Sequence, residues 1–185
     1  MLYRRSLPVR SRPQDFAANI EGVAAVEFAI VLPFMLALYL GSVEVGGGMA
    51  VQFKTALATR AVADLATRYS SIDNSTMTGI LSTASTVVAP YSASGMVVTI
   101  SQITTNSGGQ GTIAWSDSLN GTAHAVGQSV TLPTALQIAS TSMIWTEVTY
   151  PYQPAFGYVF TGTINIAQSS FFYPRLSTSV TRVNS

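Results

Sequence analysis

Apolar residues run almost without interruption from Val23 to Val43, recur at helical spacing further on, and finally alternate with polar residues in short segments. Each pattern predicts a different element. The stretch Val23 to Val43, rising about 1.5 Å per residue as a helix, covers about the 30 Å of a bilayer's hydrocarbon core and is expected to span a membrane. Pro33 lies roughly three turns inside it and should bend the helix, because its ring removes one backbone hydrogen bond. A secretory signal peptide is the competing reading, but its apolar region is usually about 7–15 residues long and is followed by an Ala-x-Ala-like cleavage site.

Met49, Phe53, Leu57, Ala61 and Leu65 continue at a spacing of four, which predicts that the helix extends past the membrane with an apolar stripe along one side. Gly46, Gly47 and Gly48 interrupt this stretch, each at about 1 kcal/mol relative to Ala in a helix interior. They mark either a flexible or locally melted point or a place of close packing against a neighbouring helix. Arg60, Asp64 and Arg68 sit at i, i+4 and i+8, so Asp64 is placed to pair with either arginine, each contact contributing about 0.2–0.5 kcal/mol. Ser70 to Ser75 reads as a break, with Asn74, Ser75 or Thr76 as N-cap. Met77, Ile80, Leu81, Ala84, Val87 and Val88 then predict a second helix, stopped by Pro90.

After Pro90 the period changes to two. Val97 to Ile103 and Thr112 to Ser116, joined by Asn106 to Gly111, predict a hairpin. Asn120-Gly121 is a second turn signal, and Val130 to Leu132 reads as a short strand. Ser142 to Tyr150 is the strongest strand, expected to end at Pro151 and Pro154. A short element at Phe156 to Phe160 and a last strand at Ile164 to Phe172 follow, and Pro174-Arg175 leads into a polar tail. The plan is α+β: a long N-terminal helix, membrane-spanning in its first half and amphipathic in its second, packed on a small antiparallel sheet. The expected divisions are 1–22 as a basic leader, 23–43 as the span, 44–70 as the helix's continuation and 71–185 as an exported α+β domain.

Charge sharpens the orientation. The net charge is only +1, yet Arg4, Arg5, Arg10 and Arg12 stand ahead of the span, which by the positive-inside rule predicts an inside N-terminus and a translocated C-terminal part. Four arginines without interleaved aromatics do not suggest a nucleic-acid partner. The chain has no cysteine and one histidine, His124, so thiolate chemistry and cysteine metal sites are excluded. A nucleophile needs a base oriented beside it, and no catalytic or phosphate-binding motif accompanies His124. We expect no catalytic residues, no metal, no cofactor and no small-molecule substrate. Trp115, Trp145, Tyr150, Tyr152, Phe156, Tyr158 and Phe160 are read as core and cross-strand partners rather than a ligand platform.

Glu27 is the single charge between Val23 and Val43. An acid at the centre of a span costs about 2.5–3.5 kcal/mol on insertion scales, and such residues are functional by default. Glu27 lies nearer the end, where the cost is lower and snorkelling to the surface is the plain alternative.

Gly22, four residues, Glu27 and Phe28, behind a basic leader and ahead of an apolar helix, have the layout of a type IV prepilin signal. The chain resembles the TadE-like family, minor pseudopilins of bacterial tight adherence (Tad/Flp) pili. Gly22-Val-Ala-Ala-Val-Glu-Phe-Ala-Ile-Val-Leu-Pro33 is similar to the family's opening block, and Arg60 to Arg68 to its membrane-distal helix. Thr112 to Ser116, Val130 to Pro133 and Glu147 to Pro154 are similar to its sheet segments. The resemblance implies a pilin-like fold and cleavage between Gly22 and Val23 by an inner-membrane prepilin peptidase. It further implies that Glu27, with Phe28 beside it, meets the new N-terminal amine of a neighbouring subunit. The implied partners are the inner membrane, the peptidase and other pilins or pseudopilins, with the N-terminus cytoplasmic, the C-terminal domain periplasmic and the protein either retained there or incorporated into a pilus. Glu21 and Asp15 make the leader less purely basic than in many prepilins, and the length suits a minor or priming component. An uncleaved bitopic scaffold or adhesin of the same machinery is the alternative.

Overall fold

The computed structural model describes residues 20–154 and 162–183, with side chains from Gly22 onward. The chain divides between Val43 and Glu44 into two compact units, and helix α1, Ile20–Ala66, contributes to both. In the first unit α1 runs through Pro33 and presents Val26, Phe28, Ile30, Phe34 and Leu38 outward. The helix is long and apolar enough to cross a membrane, and none of its most apolar window is buried.

The second unit adds strand β1 (Ser71–Ile72), helix α2 (Asn74–Val88) and strands β2 (Val97–Thr105), β3 (Gly111–Leu119), β4 (Ser129–Val130), β5 (Ser142–Tyr152), β6 (Ile164–Phe172) and β7 (Thr181–Arg182). Five of these form an antiparallel sheet in the order β4-β3-β2-β5-β6, and β1 pairs with β7 in parallel. The predicted hairpin is β2–β3, closed by the Asn106 side chain, which accepts from the amides of Gly108 and Gln110. Strand β2 is central and buried on both faces, as its β-branched content favours. One face of the sheet, with Val98, Ile100, Trp115, Ile144 and Val148, shares a core with Val51, Ala58, Val62 and Ala66 of α1 and with Met77, Ile80, Leu81, Ala84 and Val88 of α2. On the other face Ile103, Ile113, Leu132 and Met143 make a smaller core. The fold is α+β, as its pattern predicts.

Three expectations are corrected. The stripe Met49, Phe53, Leu57 does not face the core: Met49 and Phe53 are each 65% exposed, whereas Val51, Thr55, Ala58, Thr59 and Val62 are buried. A spacing of four overshoots a turn by about 40°, so the stripe drifts by about 160° between Met49 and Leu65. Small residues and two threonines take the inner position instead. Thr55 donates to the Val51 carbonyl and Thr59 to the Thr55 carbonyl, each at 2.8 Å, which satisfies their hydroxyls inside the core. The cap of α2 is Asp73, one residue before the three candidates: its carboxylate accepts from the Thr76 amide at 2.7 Å.

Strand β5 passes through Pro151 to Tyr152. Its pairing with β2 stops at Thr149 while its pairing with β6 continues to Tyr152, so a residue without an N–H sits where the strand has one neighbour, as proline requires. The polar tail supplies β7. The glycines at 46 to 48 stay helical, and a Cβ on Gly47 would lie 2.8 Å from the Tyr152 hydroxyl, so the close neighbour is a residue of strand β5 and not a helix. The expected element at Phe156 to Phe160 lies outside the described residues.

Candidate functional site

Gly22, Val23, Glu27 and Phe28 all lie in the first turns of α1. The Gly22–Val23 peptide is close to the helix start, where backbone N–H groups have no intrahelical partner. Val23 and Phe28 are exposed, Glu27 is exposed on the same helix, and no ion pair within the described residues involves Glu27. A Cβ on Gly22 would meet nothing within 4 Å, so packing gives no reason for glycine there.

At the other end of the helix, Asp64 takes two arginines. Arg68 Nη2 approaches its Oδ2 at 2.5 Å, and Arg175, beyond β6, binds Oδ1. The second partner thus comes from the C-terminal segment; Arg60 is exposed and makes no ion pair among the described residues. The Arg175 amide also donates to the Thr67 carbonyl at 3.0 Å, so this region ties the end of α1 to the chain after the sheet.

Where α1 enters the second unit, Glu44 is 2% exposed and the Tyr152 hydroxyl donates to its backbone carbonyl at 3.3 Å. Burial, then the Glu44 charge, push the Tyr152 phenol above its ordinary value. Both effects disfavour a phenolate.

Two further groupings escape sequence reasoning. His124 Nε2 lies 2.6 Å from Glu147 Oε2, and its ring stacks on Trp145 at 4.9 Å, which stacks in turn on Phe171 at 5.8 Å. Trp145 and Phe171 are directly paired across β5 and β6, a relationship that needs the register. The His124 amide donates to Ser116 Oγ at 3.1 Å, so the cluster fastens the loop after β3 onto the sheet. The second grouping centres on Arg182, whose guanidinium binds both oxygens of Asp117, at 2.9 and 3.2 Å, and Asn74 Oδ1 at 2.6 Å. Hydrogen bonding to Asp117 raises the Arg182 pKa further. Among the described residues, no three His, Asp or Glu side chains gather so as to hold a metal ion.

No curated protein and no solved structure matches the chain. Residues 22–64 match the family described as TadE-like protein. The match begins at Gly22, contains Glu27, Phe28, Pro33 and Arg60, ends at Asp64 and leaves the whole sheet outside it. Across that membrane-competent helix, from Gly22 to Asp64, the chain is similar to the TadE-like family.

Proposed function

We propose that the chain is a minor pseudopilin of a tight adherence (Tad/Flp) type IV pilus. It is held in the bacterial inner membrane by α1, cut after Gly22 by a prepilin peptidase, and assembled with other pilins or pseudopilins for surface attachment. The observation that carries this reading is Glu27: a lone exposed carboxylate on an otherwise apolar helical face, five residues beyond Gly22 and inside the TadE-like match. A carboxylate in hydrocarbon is costly when alone and far less so beside an ammonium. Cleavage after Gly22 creates such an ammonium on Val23, and a neighbouring subunit in register brings it to Glu27. The apolar surface extends past the span through Met49 and Phe53, which suits helix-to-helix contact along more than the membrane-embedded part.

The N-terminus of the protein purified from cells tests the cleavage. A chain beginning at Val23 supports it; one beginning at Met1 removes the peptidase step and selects the uncleaved bitopic scaffold. That second reading draws on α1 itself, which starts at Ile20 and runs without a break through Gly22.

A further inference from the structure

We infer that the end of the sheet carrying the turn Asn106 to Gln110 binds a neutral oligosaccharide. The inference concerns the second unit alone and rests on neither the membrane span nor the pilus reading.

Two cavities lie at this end. Gln110, Ser129, Thr131, Leu132 and Gln137 stand around the first, of about 360 Å³, together with Asn106. Ser140, Thr141 and Tyr173 stand around the second, of about 300 Å³. The cavities are neighbours, because the Asn106 carbonyl accepts from the Ser140 amide at 3.1 Å and Thr105 Oγ1 donates to the Thr141 carbonyl at 3.0 Å. Both volumes fall within about 300–1,000 Å³, the ordinary range of small-ligand sites. Glycine at 109 lets the turn come against the Gln137 carbonyl, which sets Gln110 and Gln137 around one space.

The polar groups that the fold leaves over are of both kinds. Gln110 Oε1 accepts from Asn106 Nδ2 at 2.9 Å, which leaves the Gln110 amide nitrogen to donate. Gln137 Nε2 donates to the Leu132 carbonyl at 2.9 Å, which leaves the Gln137 Oε1 to accept. The hydroxyls of Ser129 and Thr131, both exposed residues, make no hydrogen bond among the described residues.

Charge is missing from this end. Residues 103–116 and 128–146 hold no Asp, Glu, Lys, Arg or His, and Arg175, two residues beyond Tyr173, is bound to Asp64. An anionic ligand is held best by a cationic side chain, and a metal ion by carboxylate or imidazole. A sugar needs neither. Its hydroxyls donate and accept alike, as those of serine and threonine do. Its C–H face suits Val130 and Leu132 in the first cavity and the Tyr173 ring, on a residue 44% exposed, in the second. Two adjoining cavities fit a chain of sugars better than a single ring. Glycoside hydrolysis uses a pair of carboxylates, and no residue around either cavity is acidic, so the site holds the saccharide without cutting it.

The test uses the isotope-labelled full-length protein in a phosphocholine detergent, which brings no sugar of its own. It is titrated with maltotetraose and with chitotetraose while backbone amide shifts are followed. We expect saturable shifts at Gly108, Gln110, Thr131 and Thr141 with at least one of the two, and the sugar that responds tells plain hydroxyls from N-acetyl groups. Ser129→Ala combined with Thr131→Val should weaken that binding several-fold while the amides of α2 keep their positions. Ser82→Ala, at an exposed hydroxyl on α2, should leave the binding unchanged. No saturable shift at this end with either sugar overturns the inference, as does binding that the double variant leaves unaltered. Inorganic phosphate shifting the same amides in place of sugar makes this an anion site, which also overturns it.

Discussion

The indole Nε1 of Trp115 donates to the Val180 carbonyl at 2.8 Å, which joins the middle of the sheet to the last described segment of the chain. Val180 itself is fully buried, and its amide donates to Gln102 Oε1 at 2.6 Å. This residue beside β7 is thus held on both its polar groups. Trp115→Phe keeps the ring's bulk but leaves a buried carbonyl without its donor, so it should lower stability by about 1–3 kcal/mol. Urea unfolding of the full chain in detergent measures this, and an unchanged midpoint would mean that water replaces the indole.

Gly47 and Tyr152 should be energetically coupled. Alanine is favoured over glycine in a helix by about 1 kcal/mol, but the new Cβ would stand 2.8 Å from the Tyr152 hydroxyl and 3.8 Å from Cζ. Gly47→Ala should therefore change little by itself and stabilise by about 1 kcal/mol once Tyr152→Phe has removed the hydroxyl. A double-mutant cycle showing no coupling would place Tyr152 away from the helix.

Gly109 lies at φ +76°, and a Cβ there would be 2.6 Å from the Gln137 carbonyl oxygen. Left-handed backbone costs a non-glycine residue about 1–2 kcal/mol, and backbone against backbone cannot move aside cheaply. Gly109→Ala should lower stability by at least that amount in the same unfolding assay.

The α2 cap predicts a pH dependence of defined sign. The Thr76 amide, joined by Ser75, holds the Asp73 carboxyl below its usual range. A carboxyl with a depressed folded pKa contributes its stability above the unfolded value, about 4, and loses it as pH falls through the folded value. In a pH series the wild-type chain should shed this contribution below about pH 4, and Asp73→Asn, which caps without titrating, should lack that part of the slope.

The proposed assembly role separates two variants. Gly22→Ala should leave the fold unaltered, since its Cβ meets nothing, yet leave the precursor uncut in immunoblots. Glu27→Ala should be cut normally and lose piliation. Normal piliation in Glu27→Ala cells would remove the pairing role from that acid.

What the sequence by itself determined follows from local rules. The length and apolarity of the stretch after Gly22 predict the span, the change of period after Pro90 predicts strands, and Glu27 stands out because one charge in an apolar run is visible without any fold. Only tertiary structure decided which side of α1 faces the sheet, because Ala58 and Val62 are buried in the core that α1 shares with the sheet and α2, a partnership that hydropathy does not encode. It also decided that Asp64 binds Arg175 and that Arg182 binds Asp117. Those pairs join residues 111 and 65 positions apart, and long-range contacts of that kind are set by sheet order and register, which no local spacing carries.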